Sequence, residues 1–171
     1  MYYIIAAVYV VGMVLLFAFP VLMRIRVSNF ALKCKGKVIN GPYEISTVAQ
    51  NLLTMFHTVK QESFIVLYLD SNNRCIDVAV RFGNKENVHF PAKDIYERAE
   101  SLKANTIVIA RNHVNEIATP SDKDVFHAAS VHGGLGGSMN LAGYFVWCHQ
   151  RAQSVLNTQR YLQMIQGIRS E

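Results

Sequence analysis

From Tyr2 to Met23 the chain runs for 22 residues without a single charged side chain and without a polar face at helical spacing. Coiled into a helix at 1.5 Å per residue, that run is roughly 33 Å long, enough to cross the hydrocarbon core of a bilayer. Tyr2, Tyr3 and Tyr9 lie toward its start and Pro20 near its far end. A cleaved signal peptide wants positive charge before the apolar core and a small-x-small cleavage site after it, and neither is present. The pattern therefore predicts an uncleaved single-pass membrane anchor over 1–23. A linker over 24–43 follows, closed by Gly41-Pro42.

The pattern then becomes regular. Ser46 or Thr47 can cap a helix whose apolar positions Val48, Leu52, Leu53, Phe56 and Val59 recur at helical spacing. Phe64–Leu69 is a short apolar run ended by Asp70-Ser71-Asn72-Asn73, a strand and a turn, and 74–82 alternates as its partner through Ile76, Val78 and Val80. Pro91 opens a helix that ends near Lys103. Thr106–Ala110 is a buried strand, and Ser121–Val131 a further helix with Ser121 as its cap. Gly133, Gly134, Gly136 and Gly137 read as a flexible turn before a last strand near 141–147. Over 149–171, Ala152, Val155, Leu156, Leu162, Ile165 and Ile168 line one face of an amphipathic helix. The expected class is α/β (α+β): a mixed sheet flanked by helices, with four strands.

Charge changes the picture in one place. The net charge of +5 comes from Arg24, Arg26, Lys33, Lys35 and Lys37, all ahead of the first acid, Glu44; from 38 onward 12 basic and 12 acidic residues cancel. A nucleic-acid-binding face is therefore not expected. A basic cluster directly after an apolar span predicts a cytoplasmic domain and contact with anionic lipid. Cys34, Cys75 and Cys148 are too few and too scattered for a disulfide framework or a CxxC metal site.

The chemistry sits in one segment, Arg111-Asn112-His113-Val114-Asn115-Glu116-Ile117-Ala118-Thr119-Pro120-Ser121-Asp122-Lys123-Asp124, which leaves a buried strand and enters a helix. Its spacing resembles the JAB/MPN (JAMM) metalloprotease signature, and in particular the RadC-like bacterial branch. That family reads His-x-His, seven residues, then Ser-x-x-Asp, with a glutamate upstream. His113 matches the second histidine, and Ser121 and Asp124 fall at the matching positions. Thr119-Pro120-Ser121, the hairpin from Phe64 to Arg74, and Glu62 just before that hairpin also resemble the RadC-like pattern. The resemblance covers roughly 44–147, within a domain expected over 44–148, and implies a JAB/MPN (cytidine deaminase-like) architecture with a zinc hydrolase site. In such a site the histidines and aspartate hold the metal, the glutamate takes a proton from its water, and the serine bonds the developing oxyanion.

The sequence departs from that signature at three places. Arg111 stands where the first metal histidine belongs, and a guanidinium has donors but no lone pair for zinc. Only His113 and Asp124 remain as ligands, where catalytic zinc sites normally offer three. Val114 and Glu116 replace the loop's Pro and Gly, and the family's Asp-His pair before the last strand is missing, with Leu141-Ala142-Gly143 in that region.

Plainer readings compete at each position. His113 can be a structural loop histidine, Ser121 a helix cap, Asp124 a favourable first-turn carboxylate, and Glu62 a solvated residue at a strand entrance. His89, His127 and His132 could supply a replacement ligand, His127 first. Cys148 at a strand end reads as inert. The favoured picture is an Arg111–Asp124 salt bridge filling the metal's space. The expectation is thus a membrane-anchored, non-catalytic binding or scaffold module that pairs with a protein partner or with a second copy. It carries no cofactor, or zinc in the rival reading of a zinc-dependent peptidase or isopeptidase using Glu62, His113 and Asp124.

Overall fold

The computed structural model describes residues 21–22, 24, 27–39, 44, 47–48, 51, 62–83, 88–114, 118–148 and 151–169. The chain divides into two compact units, Met1–Lys33 and Cys34–Glu171. In the first, every described residue is helical. Among the described residues no helix is long and apolar enough to cross a membrane; the expected span over 1–23 lies almost wholly outside them. The same holds for most of the helix expected over 46–59, of which residues 47, 48 and 51 are described and helical.

The second unit is built on five strands: β1 Ser63–Leu69, β2 Cys75–Phe82, β3 Thr106–Asn112, β4 Asn140–Cys148 and β5 Arg151–Ser154. Helix α1, Ala92–Leu102, lies between β2 and β3, α2, Asp122–Gly134, between β3 and β4, and α3, Gln159–Arg169, follows β5. The sheet order is β2-β1-β3-β4-β5. β3 and β4 are parallel, joined through α2, and the other neighbours are antiparallel. The mixed sheet flanked by helices agrees with the α/β expectation.

The β1–β2 hairpin forms where the turn residues predict it. The Asp70 carboxylate accepts backbone N–H bonds from Asn72 (2.8 Å) and Arg74 (2.9 Å), while Asn73 takes the left-handed conformation at φ 57°. β1 is buried at every position, so its seven residues form a continuous apolar run apart from Ser63. On one face of the sheet Phe64, Val66, Tyr68, Ile107, Ile109, Tyr144 and Val146 pack with Ile95 and Ala99 of α1 and with Val125, Ala128, Ala129 and Val131 of α2. Each such large apolar side chain contributes about 1.5–3 kcal/mol by leaving water.

Four expectations need correction. The residues assigned to a linker over 24–43 are structured as far as they are described: 27–34 are helical, and 36–39 pair with the hairpin. Gly36, at φ +83°, turns the chain so that its N–H reaches Cys75 O (2.7 Å), and Lys37 O then accepts from Cys75 N (2.8 Å). The tail is not helical throughout. Arg151–Ser154 adds a fifth strand along β4, because β4 offers an open row of backbone groups that outweighs the helical propensity of Arg-Ala-Gln. Pro91 is the N-cap of α1 and not its first helical residue. Gly133 and Gly134 belong to the last turn of α2, and an added Cβ on Gly134 would stand 2.3 Å from the Tyr96 ring. That glycine permits a close approach of α1 and α2.

Candidate functional site

Three elements converge at the carboxyl end of β3. Arg111 is the sixth residue of β3, opposite Phe64 of β1 and Val146 of β4. Strand side chains alternate between faces, so Arg111 follows Ile107 and Ile109 onto the core face. Glu62 immediately precedes β1 on the adjoining strand. Asp124 is the third residue of α2, placed by its cap.

The guanidinium bridges both carboxylates. Arg111 Nη1 donates to Asp124 Oδ1 at 2.8 Å and Nη2 donates to Glu62 Oε2 at 2.6 Å. The three side chains are 10%, 0% and 9% exposed in the order Arg111, Asp124, Glu62, so these are buried, charge-assisted bonds. The second oxygen of Asp124 is occupied too. It accepts from Ser121 N (2.7 Å) and Ser121 Oγ (2.6 Å), and His113 Nε2 lies 3.3 Å away. Ser121 Oγ in return accepts from Asp124 N at 3.3 Å, which completes a capping box. Burial raises the Asp124 pKa, but the His113 bond, the Arg111 charge and the Ser121 bonds outweigh it and bring the carboxyl down to about 2. Arg111 is held all the more firmly as a cation by Asp124, Tyr144 and Glu62, against the effect of burial.

A second polar chain lies beside the first. His127 Nε2 sits 2.6 Å from Phe90 O, and Nδ1 is 3.4 Å from the Tyr144 hydroxyl. A carbonyl accepts only, so Nε2 carries the proton and Nδ1 accepts from Tyr144. The ring stands edge-on to Phe64 and Tyr144, and burial pushes its pKa down. Tyr144 is fully buried and its pKa is raised, chiefly by that burial.

The sequence-derived site residues Glu62, Arg111, His113, Ser121 and Asp124 therefore come together, and the anticipated Arg111–Asp124 bridge forms. Glu62 is not the solvated residue its strand-entrance position indicated: the guanidinium draws it in to 7% exposure. His127 is not placed as a replacement ligand, since both ring nitrogens are committed within the core. His132 faces Tyr161, whose hydroxyl is 3.2 Å from Nδ1. Leu141 and Gly143 pair with Ile107 and Val108, at the opposite end of β3 from Arg111. Tyr144 was missed; an isolated tyrosine within an apolar strand carries no signal of a polar partner.

A zinc ion does not fit these groups. Both oxygens of Asp124, the carboxylate the resemblance assigns to the metal, are engaged by Arg111 and Ser121, the would-be base Glu62 is bonded to Arg111, and the guanidinium supplies no lone pair. Among the described residues no cluster of three or more His, Cys, Asp or Glu could hold a metal ion.

Comparison with known proteins gives the family of the domain that carries this arrangement. The profile of the RadC-like JAB domain matches residues 42–134. A UPF0758 protein of Aquifex aeolicus is 43% identical over 67 residues, covering 39% of this chain and 29% of the relative. A UPF0758 protein of Pseudoalteromonas translucida is 32% identical over 91 residues, 53% of this chain and 39% of the relative. One from Vibrio vulnificus is 29% identical over the same length, with the same coverage. The matched stretch thus spans well under half of these relatives. With the profile covering more than half of its length, this chain belongs to the RadC-like JAB domain family.

Proposed function

We propose that this protein is a RadC-like JAB module that acts by binding rather than by hydrolysis, tethered to a membrane through 2–23 with its domain on the cytoplasmic side. The observation that carries the first part is the Arg111 guanidinium seated between Glu62 and Asp124 at 2.6 and 2.8 Å. It occupies the two carboxylates that a metal-dependent hydrolase of this family would use, one as base and one as ligand. An internal cation fixed by two buried bonds leaves no open coordination position at this point of the domain. Such a domain retains its surfaces and with them the capacity to pair with a protein partner or a second copy. Support for the tether is the uncharged run 2–23 followed by five basic residues before the first acid.

The test is the metal content of the purified full-length chain beside its Arg111→His variant, by elemental mass spectrometry after dialysis against zinc. The native protein is expected to hold none. The variant, in which an imidazole replaces the guanidinium beside His113 and Asp124, is expected to hold one zinc per chain. One zinc per chain in the native protein would overturn the reading and favour a zinc-dependent peptidase or isopeptidase. Resistance of the chain to alkaline extraction from membranes checks the tether separately.

A further inference from the structure

The Arg111 site lies at one end of the sheet, and the opposite end has a different character. β1 runs antiparallel to β3, from Phe64 beside Arg111 to Leu69 beside Thr106. The hairpin turn 70–74 is therefore a strand length away from the site, roughly 20 Å at 3.3 Å per residue. Three further segments gather around that turn. Gly36–Ile39 is bonded to Asn73 and Cys75, Asn105 N donates to Leu69 O at 2.8 Å, and Asn140 N donates to Asn105 O at 2.8 Å.

The charges at this end are mostly of one sign. Lys35, Lys37, Arg74 and Lys103 are all exposed, and among the described residues none of the four is in an ion pair. Three acids lie nearby. Asp70 is engaged by the turn's own N–H groups, Asp77 is paired with Arg98, and Glu100 is exposed on α1. Between Lys37 and the buried Ile39 stands Val38, 41% exposed and pinned by its bridge to Arg74. The Cys34–Glu171 unit also begins at this end, so the chain enters from the basic segment that follows the uncharged run 2–23.

We propose that this hairpin end, with Lys35, Lys37, Arg74, Lys103 and Val38, docks on an anionic phospholipid surface and turns the Arg111 end toward the cytoplasm. The inference deepens the tethered reading above. Fixed cations at loop tips with one apolar side chain among them suit a headgroup layer, where each basic residue strengthens attachment about fivefold. Nucleic acid is the lesser match, since single-strand binding wants aromatic platforms and none of these exposed residues is aromatic.

The experiment is amide hydrogen exchange, read by mass spectrometry, on the full-length chain in lipid discs. Discs containing phosphatidylserine are compared with discs of phosphatidylcholine alone. Amides of 35–39, 70–74 and 103–105 are expected to exchange about fivefold more slowly in the anionic discs, while those of 111–114 and 121–124 do not change. High salt should abolish the difference, as should the combined K35E, K37E, R74E and K103E variant. Equal exchange in the two discs would overturn the proposal, and so would protection at the Arg111 end or protection by duplex DNA alone. Failure of the chain to enter neutral discs would count against the tether only; the same readout with added vesicles of the two compositions then decides the docking face.

Discussion

Arg111 and Asp124 meet through a 2.8 Å bond across 13 residues of sequence, and the same guanidinium reaches Glu62 across 49 residues at 2.6 Å. One cation thus closes two long loops and joins β1, β3 and α2 at a single point. Two buried carboxylates against one guanidinium leave an excess negative charge. The amino end of α2, the Ser121 hydroxyl and the His113 ring, all aimed at Asp124, offset part of it. The arrangement is costly to interrupt on either side, because any group removed leaves a buried charge without its partner.

Replacing Arg111 with methionine is expected to cost about 3–5 kcal/mol, since Glu62 and Asp124 would then face each other without a counter-charge. The midpoint of urea denaturation measures it. Adding Glu62→Gln and Asp124→Asn to the same chain should recover much of that loss. A single Arg111→Met variant as stable as the native protein would mean that the bridge contributes only geometry.

Acid stability follows from the same carboxylate. The Asp124 pKa lies near 2 in the folded protein against an ordinary 3.8. A depressed folded pKa means that the unfolded chain binds the proton first. The contribution is complete above about pH 4 and is lost as pH falls through about 2. Its size is on the order of 2 kcal/mol. Denaturation midpoints recorded from pH 5 to pH 2 should fall more steeply for the native chain than for Asp124→Asn, and parallel curves would remove Asp124 from the account.

His127 should titrate below the ordinary histidine value of 6.5, because burial disfavours its charged form. Its neutral ring accepts from Tyr144 and donates to Phe90 O, so protonation breaks the first of these bonds. The sign is the same as for Asp124, in a different window: stability is full above the unfolded value near 6.5 and declines below it. Imidazole resonances followed by NMR across pH 4–8 provide the check, and a His127 midpoint at or above 6.5 would contradict the buried tautomer.

Much of this was legible in the sequence because it is local. Asp70-Ser71-Asn72-Asn73 specifies a turn, Ser121 with Asp124 three residues on specifies a cap, and the apolar runs 64–69 and 106–110 can only be buried strands. The Arg111–Asp124 bridge was legible for another reason: the signature places position 111 against position 124, and arginine cannot ligate metal. Glu62 shows where that logic stops. Whether a strand-entrance glutamate meets water or a guanidinium depends on β1 lying beside β3, and no local pattern encodes that pairing. Arg151–Ser154 is the same case, its helical propensity overruled by an open strand edge. Gly134 reads as a turn residue until the ring of Tyr96 is found against it.

That contact supplies a prediction about packing. In Gly134→Ala the new methyl would lie 2.3 Å from two ring carbons of Tyr96, so α1 and α2 must separate or the ring must rotate out. The cost is expected at about 1–3 kcal/mol. Removing the ring in a Gly134→Ala, Tyr96→Ala double variant should make the two losses less than additive, by about 0.5 kcal/mol or more. Strictly additive losses would show that Gly134 is required for helix geometry and not for the approach.

The carboxyl-terminal segment is the last element whose role differs from its pattern. Val155 and Tyr161 are buried members of the main core, and Val155 N donates to Tyr144 O at 2.7 Å. α3 is therefore held through the turn after β5, in which Thr158 Oγ1 accepts from Tyr161 N, and through the Arg160–Asp122 ion pair to α2. Val155→Ala should cost about 1–2 kcal/mol by opening a cavity. Leu162→Ala, at a side chain 45% exposed, should cost well under 1 kcal/mol. If the tail were a separate amphipathic helix, both changes would leave the unfolding midpoint of the domain where it is. Comparing the two variants by thermal denaturation distinguishes a tail that completes the core from one held in reserve for a partner.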